Sequence, residues 1–125
     1  MAFARWVFWI AGAYGMVVLG PQYFLEGKFG TDYPPAIKHP EFYYGFLGVA
    51  IAWQIAFVVI GRDPVRFRPM MLPSVVEKFS FAGAVGWLFY QNRVPAAMVG
   101  AGFVDFCLGV LFLVAWHRTR TQSAA

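Results

Sequence analysis

"VGAGFVDFCLGVLFLVAW", residues 99–116, is an unbroken run of apolar and small residues interrupted by a single acid, Asp105. Its length is close to the ~20 residues that a helix needs to cross about 30 Å of hydrocarbon. Three other stretches, residues 6–25, 42–61 and 75–91, have the same character, and the quoted run extends to residues 94–116. With 60% of residues hydrophobic and only 13% charged, the composition lies outside that of soluble domains. The expected fold is all-α: an antiparallel bundle of four transmembrane helices, forming one integral membrane domain over residues 1–125. The short connections leave no room for a nucleotide fold or a second domain.

A helical wheel places the acid. At 100° per residue, Val94, Met98, Ala101, Asp105, Gly109, Phe112 and Trp116 share one face of the last span. Ala101 and Gly109 make that face the one a neighbouring helix approaches most closely, so Asp105 points into the bundle and away from lipid. An ionisable group at mid-depth is a functional candidate by default. No Lys or Arg is an evident counter-ion, because the cations read as lying near helix ends. Asp105 is therefore expected to be a neutral acid donating a hydrogen bond, with Gln54 of the second span as its partner. Tyr14 of the first span and Ser80, Trp87 and Tyr90 of the third supply the other polar groups at flanking levels.

Two more acids have local explanations beside functional ones. Glu41 follows Pro40 at the start of the second span, where a carboxylate complements the helix dipole. It also heads a stripe of small residues, Gly45, Gly48, Ala52 and Ala56, that predicts a helix contact with Arg93 within reach. Gln54 points to the opposite side of that helix. Glu77 completes a capping box, Ser74-Val75-Val76-Glu77, at the start of the third span. With Lys78 it otherwise forms a pair at the inner mouth of the bundle.

Charge placement sets the orientation. Arg5, the cluster Arg62, Arg66 and Arg68, and Arg118 with Arg120 fall on one side of four spans, against Lys28, Lys38 and Arg93 on the other. Both termini are then cytoplasmic, in a bacterial inner membrane. Topology and anionic headgroups account for the net charge of +4, so nucleic acid is not an expected partner. The first stretch is too short between Arg5 and Ala11 for a signal-peptide core, and reads as a span. The outer connection, residues 21–40, reads as ordered turns: either a structural loop with interfacial aromatics, or a small cap whose Gln22, Tyr23, Glu26, Asp32 and Tyr33 offer a binding surface.

Several chemistries are excluded. His39 and His117 lie at opposite faces of the membrane and share no metal or haem, and the single Cys107 forms no intrachain disulfide. No phosphate loop or nucleophile elbow appears. No metal site or cofactor is evident. Gly83 and Gly86 of the third span, and Ala4, Ala11 and Gly15 of the first, read as packing surfaces.

Four spans in this length, a Glu opening the second span with Gly following ("EFYYGFLGVA", residues 41–50), an Arg-rich inner loop and an acid in the last span together resemble the small bacterial DoxX-like membrane proteins. That resemblance covers the whole chain in layout. It implies a four-span inner-membrane bundle, and several of those relatives are linked with quinone-dependent sulfur or redox chemistry. Small multidrug exporters also have four spans, but they carry their coupling acid in the first, where this chain has none.

The leading functional reading is a non-catalytic bundle: an accessory subunit, or a binder of a lipid or quinone in an aromatic-lined cleft with Asp105 and Gln54 as polar contacts. The alternatives are a small proton-coupled transporter acting as an oligomer, with Asp105 titrating, and an intramembrane enzyme acting on a lipid. Expected partners are membrane lipids, with further copies of the chain or a larger membrane complex.

Overall fold

A computed structural model describes residues 2–120 of the chain. They are helical, with no strand among them. Five α-helices follow in order: α1 (Ala2–Leu19), α2 (Glu26–Asp32), α3 (Pro40–Arg62), α4 (Met71–Tyr90) and α5 (Ala96–Arg118), with a 3-10 turn over Gly20–Phe24 extending α1. Three of these segments are long and apolar enough to cross a membrane: Ala2–Phe24, Pro40–Arg62 and Ala96–Arg118. The fourth expected span corresponds to α4, which carries Ser74, Glu77, Lys78 and Ser80 in its first half and is not among the three.

Two antiparallel pairs build the core. Along α1 and α3, Arg5 Nε donates to Gly61 O and Trp9 Nε1 to Val58 O, each at 3.1 Å. One turn on, Gly12 lies so close to α3 that a Cβ there would come within 2.9 Å of the Gln54 carbonyl oxygen. Along α4 and α5, Gly102 takes Val85 and Gly109 takes the Phe79 ring, while Arg68 Nε, just before α4, donates to Trp116 O at 2.9 Å. The pairs join through Phe8 and Phe112, stacked at 4.1 Å, with Phe57 edge-on to Phe112 at 5.0 Å. In lipid such packing and hydrogen bonding replace the hydrophobic drive between helices, which explains why glycines sit at the tightest contacts. Apolar side chains on the outer faces, such as Val17, Val49 and Phe103, are more than 60% exposed, as a lipid-facing surface requires.

The buried core forms two clusters. One surrounds Phe8, Phe57, Phe112 and Met71 near the Arg-rich end, and the other joins Leu19, Leu47 and Ala50 beneath Tyr23, Tyr43 and Tyr44.

Four local expectations are corrected. α4 begins at Met71, so Ser74 lies inside the helix and donates to Met70 O at 2.8 Å, and no capping box forms with Glu77. The proline at position 73 is no obstacle, because the first turn of a helix has no N–H to lose. Part of the outer connection is the helix α2, supported by Glu26 in its first turn and the Lys28–Asp32 pair at 2.7 Å. Asp32 also holds the exposed Lys28 ammonium above the ordinary lysine range, by its hydrogen bond first and its charge second. A Cβ at Gly83 or Gly86 would meet nothing within 4 Å among the described residues, and the packed face of α4 runs instead through Met71, Val75, Lys78 and Val85. The small stripe on α3 is mostly exposed, whereas Leu47, Ala50, Gln54, Phe57 and Ile60 form its buried side.

Candidate functional site

Starting α4 at Met71 sets Lys78 two turns inside the helix. Seven residues at 1.5 Å each place it about 10 Å from the start of the helix, and its side chain is turned toward α5. There Lys78 Nζ stands 3.5 Å from Asp105 Oδ1 and 3.6 Å from Glu77 Oε2. The ammonium also lies 5.2 Å from the centre of the Phe57 ring, a cation–π distance. Lys78 is 3% exposed. A lysine buried this far among apolar side chains survives only with acids beside it.

Asp105 therefore faces inward, as the wheel predicts, but its partner is a cation and not Gln54. Gln54 is itself 1% exposed, and its Nε2 donates to Ala50 O at 2.9 Å one turn back along α3. Among the described residues no hydrogen-bond partner reaches its Oε1. That oxygen lies over Gly15 of α1, where any Cβ would collide with the Gln54 amide. Gly15 thus makes room for a polar side chain, beyond its place in a packing stripe.

These groups surround one cavity of about 390 Å³. Tyr14 enters from α1, Gln54 from α3, Glu77 and Lys78 from α4 and Asp105 from α5. Gln22, Phe29, Tyr33 and Tyr43 line the opposite end. That cap is tied down by Tyr43 Oη donating to Gln22 O at 2.7 Å and Tyr44 Oη donating to Glu26 Oε1 at 2.9 Å. A second space of about 790 Å³ runs between α3 and α4, the sparsely packed pair, and shares Phe46, Ala50, Glu77 and Phe81 with the cavity wall.

Five of the eight candidates named from sequence meet here: Tyr14, Gln54, Glu77, Lys78 and Asp105. Three do not. Glu41 is exposed and pairs with His39 Nδ1 at 3.3 Å, while Arg93 reaches Gln91 Oε1 instead. Trp87 and Tyr90 stack on each other at 5.8 Å on the outside of α4, where exposed aromatics suit a membrane interface. Among the described residues no group of His, Cys, Asp and Glu is arranged to hold a metal.

Sequence reasoning missed Phe29 and Tyr43 of the roof and the role of Lys78. A signal for the latter exists: Met71, Val75, Lys78, Ala82 and Val85 share one face once the helix is allowed to start before Ser74. No family model, curated protein or solved structure matches the chain.

Proposed function

We propose that the chain is a four-span, antiparallel inner-membrane protein that binds an apolar-tailed ligand, a lipid or a quinone, in the cavity between its helices without chemically transforming it. The observation that carries this reading is the cavity itself. Its volume lies within the range of small-molecule sites, and its aromatic and aliphatic walls converge on a few fixed polar groups.

α4 serves as the fourth span. Its 20 residues reach about 30 Å, and its acid–base pair is turned toward α5, which leaves Leu72 and Val76 outward. Arg5, Arg62, Arg66, Arg68 and Arg118 gather at the end where α1 begins and α5 finishes, which supports a cytoplasmic location for both termini. Layout shared with the DoxX-like proteins agrees with this span plan.

Native mass spectrometry of the protein released from mild detergent tests the reading. Retention of one apolar small molecule per chain supports it, and a chain free of any adduct under conditions that keep it folded counts against it. A second reading, proton-coupled transport, is favoured by one observation: Glu77 and Asp105 both stand beside Lys78 at the cavity wall, well inside the helices. For that reading, Asp105→Asn leaves the fold intact and abolishes pH-gradient-driven flux in proteoliposomes.

A further inference from the structure

The cavity wall carries an unequal count of charges. Glu77 and Asp105 face the single ammonium of Lys78, and among the described residues no other charged side chain lines the space. Two carboxylates against one cation leave one negative charge without a partner inside the bundle, where an unpaired ion is costly.

What the cavity presents is the acids and not the lysine. The Lys78 side chain is 4% exposed, against 20% for Glu77 and 15% for Asp105. Lys78 Nζ engages one oxygen of each acid, Asp105 Oδ1 and Glu77 Oε2, and the latter is itself enclosed. The other two oxygens, Asp105 Oδ2 and Glu77 Oε1, accept no hydrogen bond among the described residues and are not enclosed. An ionised carboxylate only accepts, so both atoms are open to a donor or a positive charge.

The remaining walls favour the same kind of head. Tyr14, Phe29, Tyr33, Tyr43, Phe46 and Phe81 line the space with aromatic rings, whose π faces are negative. Aromatic rings with carboxylates beside them are the chemistry that recognises ammonium groups. The protein already holds one cation in this way, since Lys78 Nζ lies 5.2 Å from the centre of the Phe57 ring and between two acids. An anionic head would meet the open carboxylate oxygens before the withdrawn ammonium, and a neutral one would leave the count unbalanced.

We infer that the cavity takes an apolar-tailed cation, with its ammonium head against Asp105 Oδ2 and Glu77 Oε1 and its tail along the aromatic and aliphatic walls. This rests on the reading of the cavity as a ligand site and supplies the charge of what it holds. A primary ammonium donates hydrogen bonds to the two oxygens, whereas a quaternary one relies on its charge and on the rings.

Four probes with the same decyl tail separate the cases: decylammonium, decyltrimethylammonium, decanol and decanoate, each tritium-labelled. Binding to the full chain in dodecyl maltoside micelles is read by scintillation proximity, with protein-free micelles subtracted. At least one of the two cations binds about tenfold more tightly than both decanol and decanoate, the equivalent of one hydrogen bond or ion pair to a charged acceptor, and the tighter of the two identifies the head as primary or quaternary. Asp105→Asn keeps the shape of the side chain, brings the charge count to zero and removes the preference. Glu77→Gln does the same if the asparagine variant does not fold. A preference that persists unchanged in a folded variant overturns the assignment to these acids. Equal binding of all four, or tightest binding of decanol or decanoate, overturns the charge inference and leaves the cavity as a ligand site. Absence of binding by all four overturns both.

Discussion

Lys78 and Asp105 meet across the α4–α5 contact, Nζ to Oδ1 at 3.5 Å, with both side chains largely withdrawn from the surface. Glu77 stands on the other side of the same ammonium at 3.6 Å. Lys78→Met leaves the two acids facing each other with no cation. The expected loss is roughly 3 kcal/mol, at the low end for breaking a buried ion pair. Adding Asp105→Leu to that variant recovers most of the loss, because the acid that needed the cation is gone. Denaturant unfolding in mixed micelles, arranged as a double-mutant cycle, measures the coupling; additive effects would show that the two groups do not interact.

The glycines divide into those that carry a helix contact and those that do not. Gly12→Ala directs a Cβ at the Gln54 backbone oxygen, which cannot swing aside, and is expected to destabilise by about 1–3 kcal/mol. Gly86→Ala meets nothing within 4 Å, and its stability stays within about 0.5 kcal/mol of wild type or rises slightly through helix propensity. Thermal unfolding of the two variants side by side checks the contrast.

The cap is held over the cavity by hydroxyl hydrogen bonds from α3. Tyr43→Phe and Tyr44→Phe each remove one, at a cost of about 1 kcal/mol to the docking of the cap. Hydrogen exchange is expected to speed up over residues 20–33 while the amides of α5 keep their protection. Uniform acceleration along the chain would mean that the cap is not a separate unit.

Orientation is tested with single cysteines in a background lacking Cys107. A cysteine at Asp32 is labelled by an impermeant reagent in intact cells, and one at Arg66 only after permeabilisation. The reverse pattern would invert the topology.

Much of this arrangement was legible in the sequence, for reasons that differ by residue. The helical period alone put Asp105, Gly109 and Phe112 on the inward face of α5, because that face depends only on spacing along one helix. The partner of Asp105 was not legible. It depends on the register of α4 against α5, set by Phe79 on Gly109 and Val85 on Gly102, which no single helix encodes. The capping-box match at Ser74 compounded the error by starting the helix four residues late, which left Lys78 at the membrane surface. Glu41 and its stripe of small residues misled in a different way: small side chains permit close approach without compelling it, and Phe57, Gln54 and Leu47 chose the other side of α3. The outer connection hid α2 because its helical support is a Lys28–Asp32 pair within a segment otherwise rich in glycine and proline.

The central claim is that the cavity bounded by Gln54, Glu77, Lys78 and Asp105 holds a ligand, and filling it is the most direct test. Ala101 lines the cavity from α5 and is exposed, so Ala101→Trp adds bulk there without displacing a core side chain. Native mass spectrometry is run on wild type and variant purified in parallel, with thermal unfolding to establish that both are folded. The account predicts a small-molecule adduct on wild type that is lost or strongly reduced in Ala101→Trp at unchanged thermal stability. An adduct retained at equal occupancy by the filled variant would contradict it.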